Sequence, residues 1–135
     1  MTLAFRLRWL RVALFICGVL CLAFWPLTVL WPSGWSWHPR GSHSEYMLIA
    51  VYAVLGVFLL RAVRDPLRHR SLIWFTAWSS VAHGGLMAWQ SLRDGSEHGH
   101  MLGDVPALLI GALVLGMLMP RGEEADKLAE GHHTA

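Results

Sequence analysis

The chain of 135 residues is long enough for one domain, and 55% of its residues are hydrophobic while only 15% are charged. Because a soluble domain carries about 25% charged residues, this composition excludes a disordered protein and argues against an ordinary soluble enzyme. The net charge of +2 is too small for a nucleic-acid groove, so we expect no nucleic-acid partner.

Four apolar segments predict four transmembrane helices, at about 9–31, 45–63, 71–92 and 97–119. A bilayer core of ~30 Å requires about 20 helical residues, and each segment approaches that length. In the first segment, Pro26 deprives the carbonyl of Leu22 of its helical partner and predicts a kink. This segment is predicted to be retained rather than cleaved as a signal peptide, because its apolar run is long and no A-x-A site follows.

The basic residues divide unequally between the two ends of the predicted bundle. Short connections make neighbouring helices antiparallel. Nine of the eleven Lys and Arg residues then fall on one side: Arg6, Arg8, Arg11, Arg61, Arg64, Arg68, Arg70, Arg121 and Lys127. The other side holds Arg40 and Arg93. Because cytoplasmic loops carry the excess of Lys and Arg, both termini are predicted to be cytoplasmic.

The predicted fold class is therefore all-α, a four-helix transmembrane bundle in a bacterial inner (cytoplasmic) membrane. The bundle occupies residues 1–120. The charged residues 121–135 lack apolar periodicity and are predicted to form a flexible cytoplasmic tail.

Polar side chains at predicted membrane depth are the candidate functional residues, because such groups are costly there unless they are paired. His83 lies in the middle of the third helix, on a small and polar face. That face comprises Thr76, Ser80, His83, Gly84 and Met87. The opposite face carries Trp74, Trp78 and Trp89, so we expect the His83 face to point into the bundle.

A second polar stripe follows the fourth helix through His100, Asp104, Ala107 and Gly111. Asp104 lies four residues after His100, so its carboxylate can accept a hydrogen bond from the imidazole. Glu45 opens the second helix on the same outer side of the bundle. These positions predict a cluster of Glu45, His83, His100 and Asp104, with Asp104 the nearest partner of His83.

Several interpretations of this cluster stay open. Two imidazoles and two carboxylates can hold a divalent metal such as zinc or iron, through Glu45, His83, His100 and Asp104. His83 and His100, on different helices, can instead be the axial ligands of a haem. The cluster can also bind a quinone headgroup, relay protons or carry a solute.

The structural alternative assigns each polar residue to local hydrogen bonds. His83 then bonds Ser79 or Ser80, Asp104 stabilises the helix near a break at Pro106, and Glu45 caps its helix. Cys17 and Cys21, four residues apart in the first helix, are interpreted as small apolar residues at a helix contact. The sequence carries no phosphate-binding loop or nucleophile elbow, which favours a non-enzymatic role.

Three stretches, 52–60, 71–83 and 97–108, resemble a recurring pattern in small bacterial membrane proteins grouped as a domain of unknown function. The resemblance covers about 10–119. It implies a four-helix inner-membrane protein and carries over no catalytic residue. We therefore expect a small, non-enzymatic membrane protein, an accessory subunit or an oligomer, whose partners are membrane lipids and other copies or subunits of a larger membrane complex.

Overall fold

The computed structural model describes residues 2–36 and 42–120, and for 95–97 it describes the backbone alone. Within these ranges every regular element is helical, which confirms the all-α prediction. The elements are α1 (Leu3–Leu22), α2 (Phe24–Leu30), α3 (Pro32–Trp35), α4 (His43–Ala62), α5 (Arg70–Arg93) and α6 (Asp104–Leu118), with 3₁₀ segments at Pro66–His69 and Gly95–Leu102. The predicted flexible tail, 121–135, lies outside the described residues, together with its Arg121 and Lys127. Arg40 also lies outside them.

The first predicted helix, 9–31, is broken into two helices. α1 begins at Leu3, ahead of the three arginines, because Arg is a good helix former. α2 follows after Ala23 and is bent by 58° relative to α1. Pro26 lies in the first turns of α2 and has no N–H for the carbonyl of Leu22, which accounts for the position of the bend.

Two helical stretches are long and apolar enough to cross a membrane, His43–Ala62 and His98–Leu118. The bent pair of α1 and α2 adds a third if it forms one span. α5 is the longest helix, with 24 residues, but it is not among them. Its serines, threonine, histidine and glycines lower its hydropathy. The described residues thus have two or three candidate spans where the sequence predicts four.

Glycines bring the helices together in pairs. A Cβ added to Gly56 of α4 would lie 2.8 Å from the carbonyl oxygen of Gly18 in α1, so these two backbones are in direct contact. α5 packs most extensively on α6, where Gly84 faces Leu108 and Leu109. Small residues at such contacts let helix backbones approach closely.

The fully buried core lies where α1, α4, α5 and α6 meet. Its members include Leu10, Leu14, Leu59, Ile73 and Leu115, each with an exposed fraction of 1% or less. Burial of five large aliphatic side chains contributes roughly 1.5–3 kcal/mol each. This core fixes the four helices relative to one another at the end that carries the arginines.

The opposite end of the bundle is closed by a corner between α3 and the 3₁₀ segment Gly95–Leu102. A Cβ on Gly99 would overlap the carbonyl group of Ser33, and a Cβ on Gly103 would overlap that of Gly34. Only glycine allows two backbones to come this close. In the predicted helix over 97–119, Pro106 is expected to loosen the turn around Leu102 and Gly103. The helix is interrupted at Gly103, and regular α-helix begins at Asp104.

Candidate ligand cavity

A central cavity of about 80 Å³ lies inside the bundle, and all six α-helices contribute to its wall. Most of its lining is leucine and other apolar side chains. The polar lining groups are Thr76, Ser80 and His83 of α5, Tyr52 of α4 and Asp104 of α6. The cavity therefore joins a mainly apolar interior to a small number of hydrogen-bonding groups, as small-molecule sites do.

The predicted inner face of α5 lines this cavity. Thr76, Ser80, His83 and Met87 all contribute to its wall, which confirms that the His83 face points into the bundle. On the other side of the helix, the prediction that the tryptophans point outward is confirmed for Trp78 and Trp89, which are exposed. It is wrong for Trp74, which is partly buried and packs beside Gly116 of α6.

His83 has an aromatic neighbour that sequence analysis did not predict. The ring centroids of His83 and Tyr52 lie 6.2 Å apart. Tyr52 in turn lies 5.2 Å from the ring of Phe24, which lies 6.1 Å from the ring of Trp35. These four rings connect α5, α4, α2 and α3 on one side of the cavity. The predicted contact between His83 and Asp104, direct or through water, stays a prediction, since the structure shows only that both line the same space.

His100 and Asp104 form a buried pair, and the predicted hydrogen bond between them is present. Nδ1 of His100 lies 2.9 and 3.0 Å from the two carboxylate oxygens of Asp104. The imidazole is fully buried and Asp104 is 2% exposed. Asp104 lines the cavity, whereas His100 is not among the lining residues. The pair thus holds the carboxylate in position at the edge of the cavity.

Glu45 is held elsewhere. Its carboxylate accepts a hydrogen bond from Oγ of Ser36 at 2.5 Å, and its backbone N–H donates to Oγ of Ser42. Ser42 is the N-cap of α4, so the capping group is the serine and not the predicted glutamate. Glu45 connects the end of α3 to the start of α4 and does not line the cavity.

The structure does not gather the four predicted metal ligands into one group. Among the side chains it describes, no set of three or more His, Cys, Asp or Glu residues could hold a metal ion. Of the two histidines in the haem interpretation, His83 lines the cavity and His100 does not, and this interpretation stays a prediction. The hydrogen bonds predicted from His83 to Ser79 or Ser80 stay a prediction. Oγ of Ser79 donates to the carbonyl of Thr76 at 3.2 Å and keeps its capacity to accept.

Sequence analysis missed several residues of the cavity wall. Tyr52 lies within an apolar run of α4, and Trp35 lies at the end of the short helix α3. Cys17 and Cys21 line the cavity as free thiols, in accord with their interpretation as small residues at an internal helix face. The spacing of Leu48, Tyr52 and Leu55 places them on one face of α4, and this was the available signal.

Together these features define an all-helical protein with two or three helices that could cross a membrane and a mainly apolar cavity between them. The chain belongs to a family of unknown function (DUF6632), whose sequence model matches residues 4–128. This confirms the resemblance to an uncharacterised family. Comparison with the curated proteins and with the solved structures gave no match.

Proposed function

We propose that this protein is a non-enzymatic, multi-pass component of a bacterial inner membrane, acting as an accessory subunit or an oligomer among membrane lipids. Its four crossings are the bent pair α1–α2, then α4, α5 and α6, with both termini on the cytoplasmic side. The observation that carries the proposal is the apolar outer surface of all four helices. Large hydrophobic side chains are exposed on each, among them Phe15, Val51, Trp78 and Met117. An apolar surface this extensive belongs against lipid or a partner.

The composition of α5 is compatible with a crossing. Its polar residues, including Thr76, Ser80 and His83, face the cavity and would not meet lipid. Its outer side presents Phe75 and Trp78, which are 66% and 68% exposed. A helix that buries its polar groups inside a bundle can span even where its mean hydropathy is modest.

The charges support the proposed orientation. Nη2 of Arg6 donates to the carbonyl of Met119 at 2.8 Å, which places the start of α1 beside the end of α6. The 3₁₀ segment Pro66–His69, in the turn between α4 and α5, contacts α1 at the same end. Seven described arginines therefore share one end: Arg6, Arg8, Arg11, Arg61, Arg64, Arg68 and Arg70. Arg93 alone among the described arginines lies at the other, so the first end is assigned to the cytoplasm.

Single-cysteine labelling in intact cells tests both claims. Cys17 and Cys21 are first replaced by serine, and a single cysteine is then placed at His43, Arg64, Ser71 or Asp94. We expect an impermeant maleimide to label positions 43 and 94 from outside, and positions 64 and 71 only after the cells are permeabilised.

The pair at 71 and 94 decides whether α5 crosses. Equal accessibility of these two positions would contradict four crossings. Labelling of position 64 from outside, with 43 and 94 protected, would reverse the orientation. Purification in a mild detergent followed by mass measurement checks whether the chain is an oligomer.

A further inference from the structure

We propose that the contact between α1 and α4 forms a binding site for one anionic phospholipid, whose phosphate lies between Arg11 and Arg64. The site rests on the proposed membrane location and deepens it, but it depends neither on the number of crossings nor on the orientation. Three features support it: the register of the two helices, the exposed apolar residues along their contact, and the unpaired charges at one end of it.

The glycine contacts define the register of α1 and α4. A Cβ added to Gly18 would lie 2.8 Å from Cγ of Leu60, and a Cβ added to Gly56 would lie 3.0 Å from Cγ of Leu22. Because the later residue of α1 meets the earlier residue of α4, the two helices are antiparallel. Their positions along the contact can therefore be compared residue by residue.

Arg11 and Arg64 lie at nearly the same depth. Arg11 precedes Gly18 by seven residues, and Arg64 follows Gly56 by eight. The backbone N–H of Arg64 donates to the carbonyl of Arg61 at 3.3 Å, so the helical turn continues to this residue. At 1.5 Å per residue, the two arginines are about 10 and 12 Å from the glycine contact. Packed helices have axes about 8–10 Å apart, so two such guanidinium groups can hold one phosphate between them.

Both arginines continue apolar stripes that border the contact on the outer side of the bundle. On α1 a spacing of four, three and four residues joins Arg11, Phe15, Gly18 and Leu22. On α4 the same spacing joins Ala53, Val57, Leu60 and Arg64. Spacing of this kind places residues on one face of a helix. Phe15, Leu22 and Val57 are 55%, 42% and 49% exposed, so these stripes present an apolar surface on which an acyl chain can lie.

The charges of Arg11 and Arg64 are not neutralised by the protein. Both residues are exposed, and neither guanidinium has a partner among the residues that the structure describes. Asp65 is the one acidic residue at this end within the described ranges, and it lies 3.9 Å from Arg68. Two cations at one depth repel each other, and an anion between them removes this repulsion. Phosphate accepts paired hydrogen bonds from guanidinium groups, so a phospholipid headgroup fits both the charge and the adjoining apolar surface.

Native mass spectrometry of the full-length protein in a non-ionic detergent tests the proposal. The protein is titrated with phosphatidylglycerol, and with phosphatidylcholine as the zwitterionic comparison, and the Kd of the first bound lipid is measured. We expect phosphatidylglycerol to bind about tenfold more tightly, because the ammonium group of phosphatidylcholine opposes its contact with two arginines. Equal affinities for the two lipids would overturn the proposal.

Arginine variants assign the binding to this position. Arg11→Gln and Arg64→Gln should each weaken binding of the first phosphatidylglycerol about tenfold, because each removes charge-assisted hydrogen bonds to phosphate. Arg61→Gln is the matched control: Arg61 is also exposed on α4, but it lies about 140° around the helix from Gly56, against about 80° for Arg64. We expect R61Q to stay within about twofold of the parent. Equal losses in all three variants would show a general attraction between basic residues and anionic lipid, and would overturn the site.

The contribution of the acyl chain has its own test. Phe15→Ala should weaken binding roughly threefold, because it removes apolar contact area. Ile16→Ala is the control, since Ile16 is exposed to a similar extent on another face of α1. Excess glycerol phosphate, which has the headgroup phosphate without the chains, should not displace the lipid. Displacement by glycerol phosphate, or equal losses in F15A and I16A, would assign the arginines to a free phosphate and overturn the choice of a lipid.

The alternative occupant is the acidic part of residues 121–135, which contains Glu123, Glu124, Asp126 and Glu130. A full-length variant with these four residues changed to Gln or Asn should bind phosphatidylglycerol as the parent does. Tight binding that appears only in this variant would assign the arginines to the chain's own acidic segment and overturn the proposal. Failure of the cysteine-labelling topology leaves these readouts interpretable, because the two arginines share one end of the bundle in either orientation.

Discussion

Gly18 of α1 and Gly56 of α4 face each other so closely that a Cβ on Gly56 would lie 2.8 Å from the Gly18 carbonyl oxygen and 3.0 Å from Cβ of Cys21. The two glycines therefore set the distance between α1 and α4. Cys21 also lines the central cavity, so the same contact sets the width of the cavity on that side.

Gly56→Ala is expected to destabilise the protein. The added methyl group would meet backbone rather than a flexible side chain, and overpacking of this kind costs about 1–3 kcal/mol. Gly85→Ala is the matched control, because a Cβ there has no atom within 4 Å. Removing a glycine from the interior of α5 should leave stability unchanged or raise it by up to about 1 kcal/mol. The free energy of unfolding in mixed micelles distinguishes them, and equal stability of G56A and G85A would refute the close contact.

Asp104→Leu is expected to lower the free energy of unfolding by about 1–3 kcal/mol, because it leaves the buried His100 Nδ1 without its carboxylate. Asp104→Asn should cost less, since the amide oxygen can still accept this hydrogen bond. Asp65→Asn serves as the control: Asp65 lies 3.9 Å from Arg68 in an exposed ion pair. Such pairs contribute little, so D65N should stay within about 0.5 kcal/mol of the parent. A loss in D65N as large as that in D104L would contradict the buried pairing.

Gly103→Ala is expected to detach α3 from the start of α6, because the new Cβ would overlap the carbonyl group of Gly34. Hydrogen exchange of the backbone amides of Gly34 and Ser36 measures this directly, and we expect their exchange to accelerate at least tenfold. Gly116→Ala provides the comparison on the same helix, since its Cβ would lie at an ordinary 3.8 Å from Trp74. Unchanged exchange in G103A would mean that α3 does not rest on this glycine.

Arg6→Met is expected to loosen the end of α6. The guanidinium of Arg6 donates to the carbonyl oxygens of Met119 and Met117, at 2.8 and 3.4 Å, where the last turn of a helix lacks internal donors. We expect a loss of about 1 kcal/mol in the free energy of unfolding. Arg8→Met removes the same charge from an exposed side chain of the same helix and should have no comparable effect. Equal losses in both variants would assign the effect to net charge and not to the carbonyl contacts.

The sequence was informative where structure depends on local pattern. The predicted bounds 45–63 and 71–92 differ by no more than two residues from those of α4 and α5. Ser42 and Asp65-Pro66 mark these ends through capping and turn chemistry that local sequence encodes. The hydrogen bond between His100 and Asp104 likewise follows from a spacing of four residues.

The remaining features depend on contacts between distant parts of the chain. The contact of Gly103 with Gly34 is one that no local pattern reveals, although Pro106 indicates a loosened turn at Gly103. The cavity wall combines Trp35, Tyr52 and Asp104 from three different elements. The sequences around Trp35 and Tyr52 are explained by an apolar environment alone and do not indicate a cavity. The predicted metal cluster of Glu45, His83, His100 and Asp104 depends on distant contacts in the same way, and the contact that Glu45 makes is with Ser36.

The interruption at Gly103 also determines how the protein fits a bilayer of given thickness. α6 has 15 residues and covers only about 22 Å, short of a ~30 Å hydrocarbon core, whereas α1 and α4 have 20 residues each and cover about 30 Å. In the proposed orientation the missing depth is occupied by the 3₁₀ backbone of Gly95–Leu102, which hydrocarbon tolerates only where protein shields it. The four-residue helix α3 supplies part of that shield. Hydrophobic matching is therefore governed by this corner, and its loss would favour thinner membranes or local thinning of the lipid around α6.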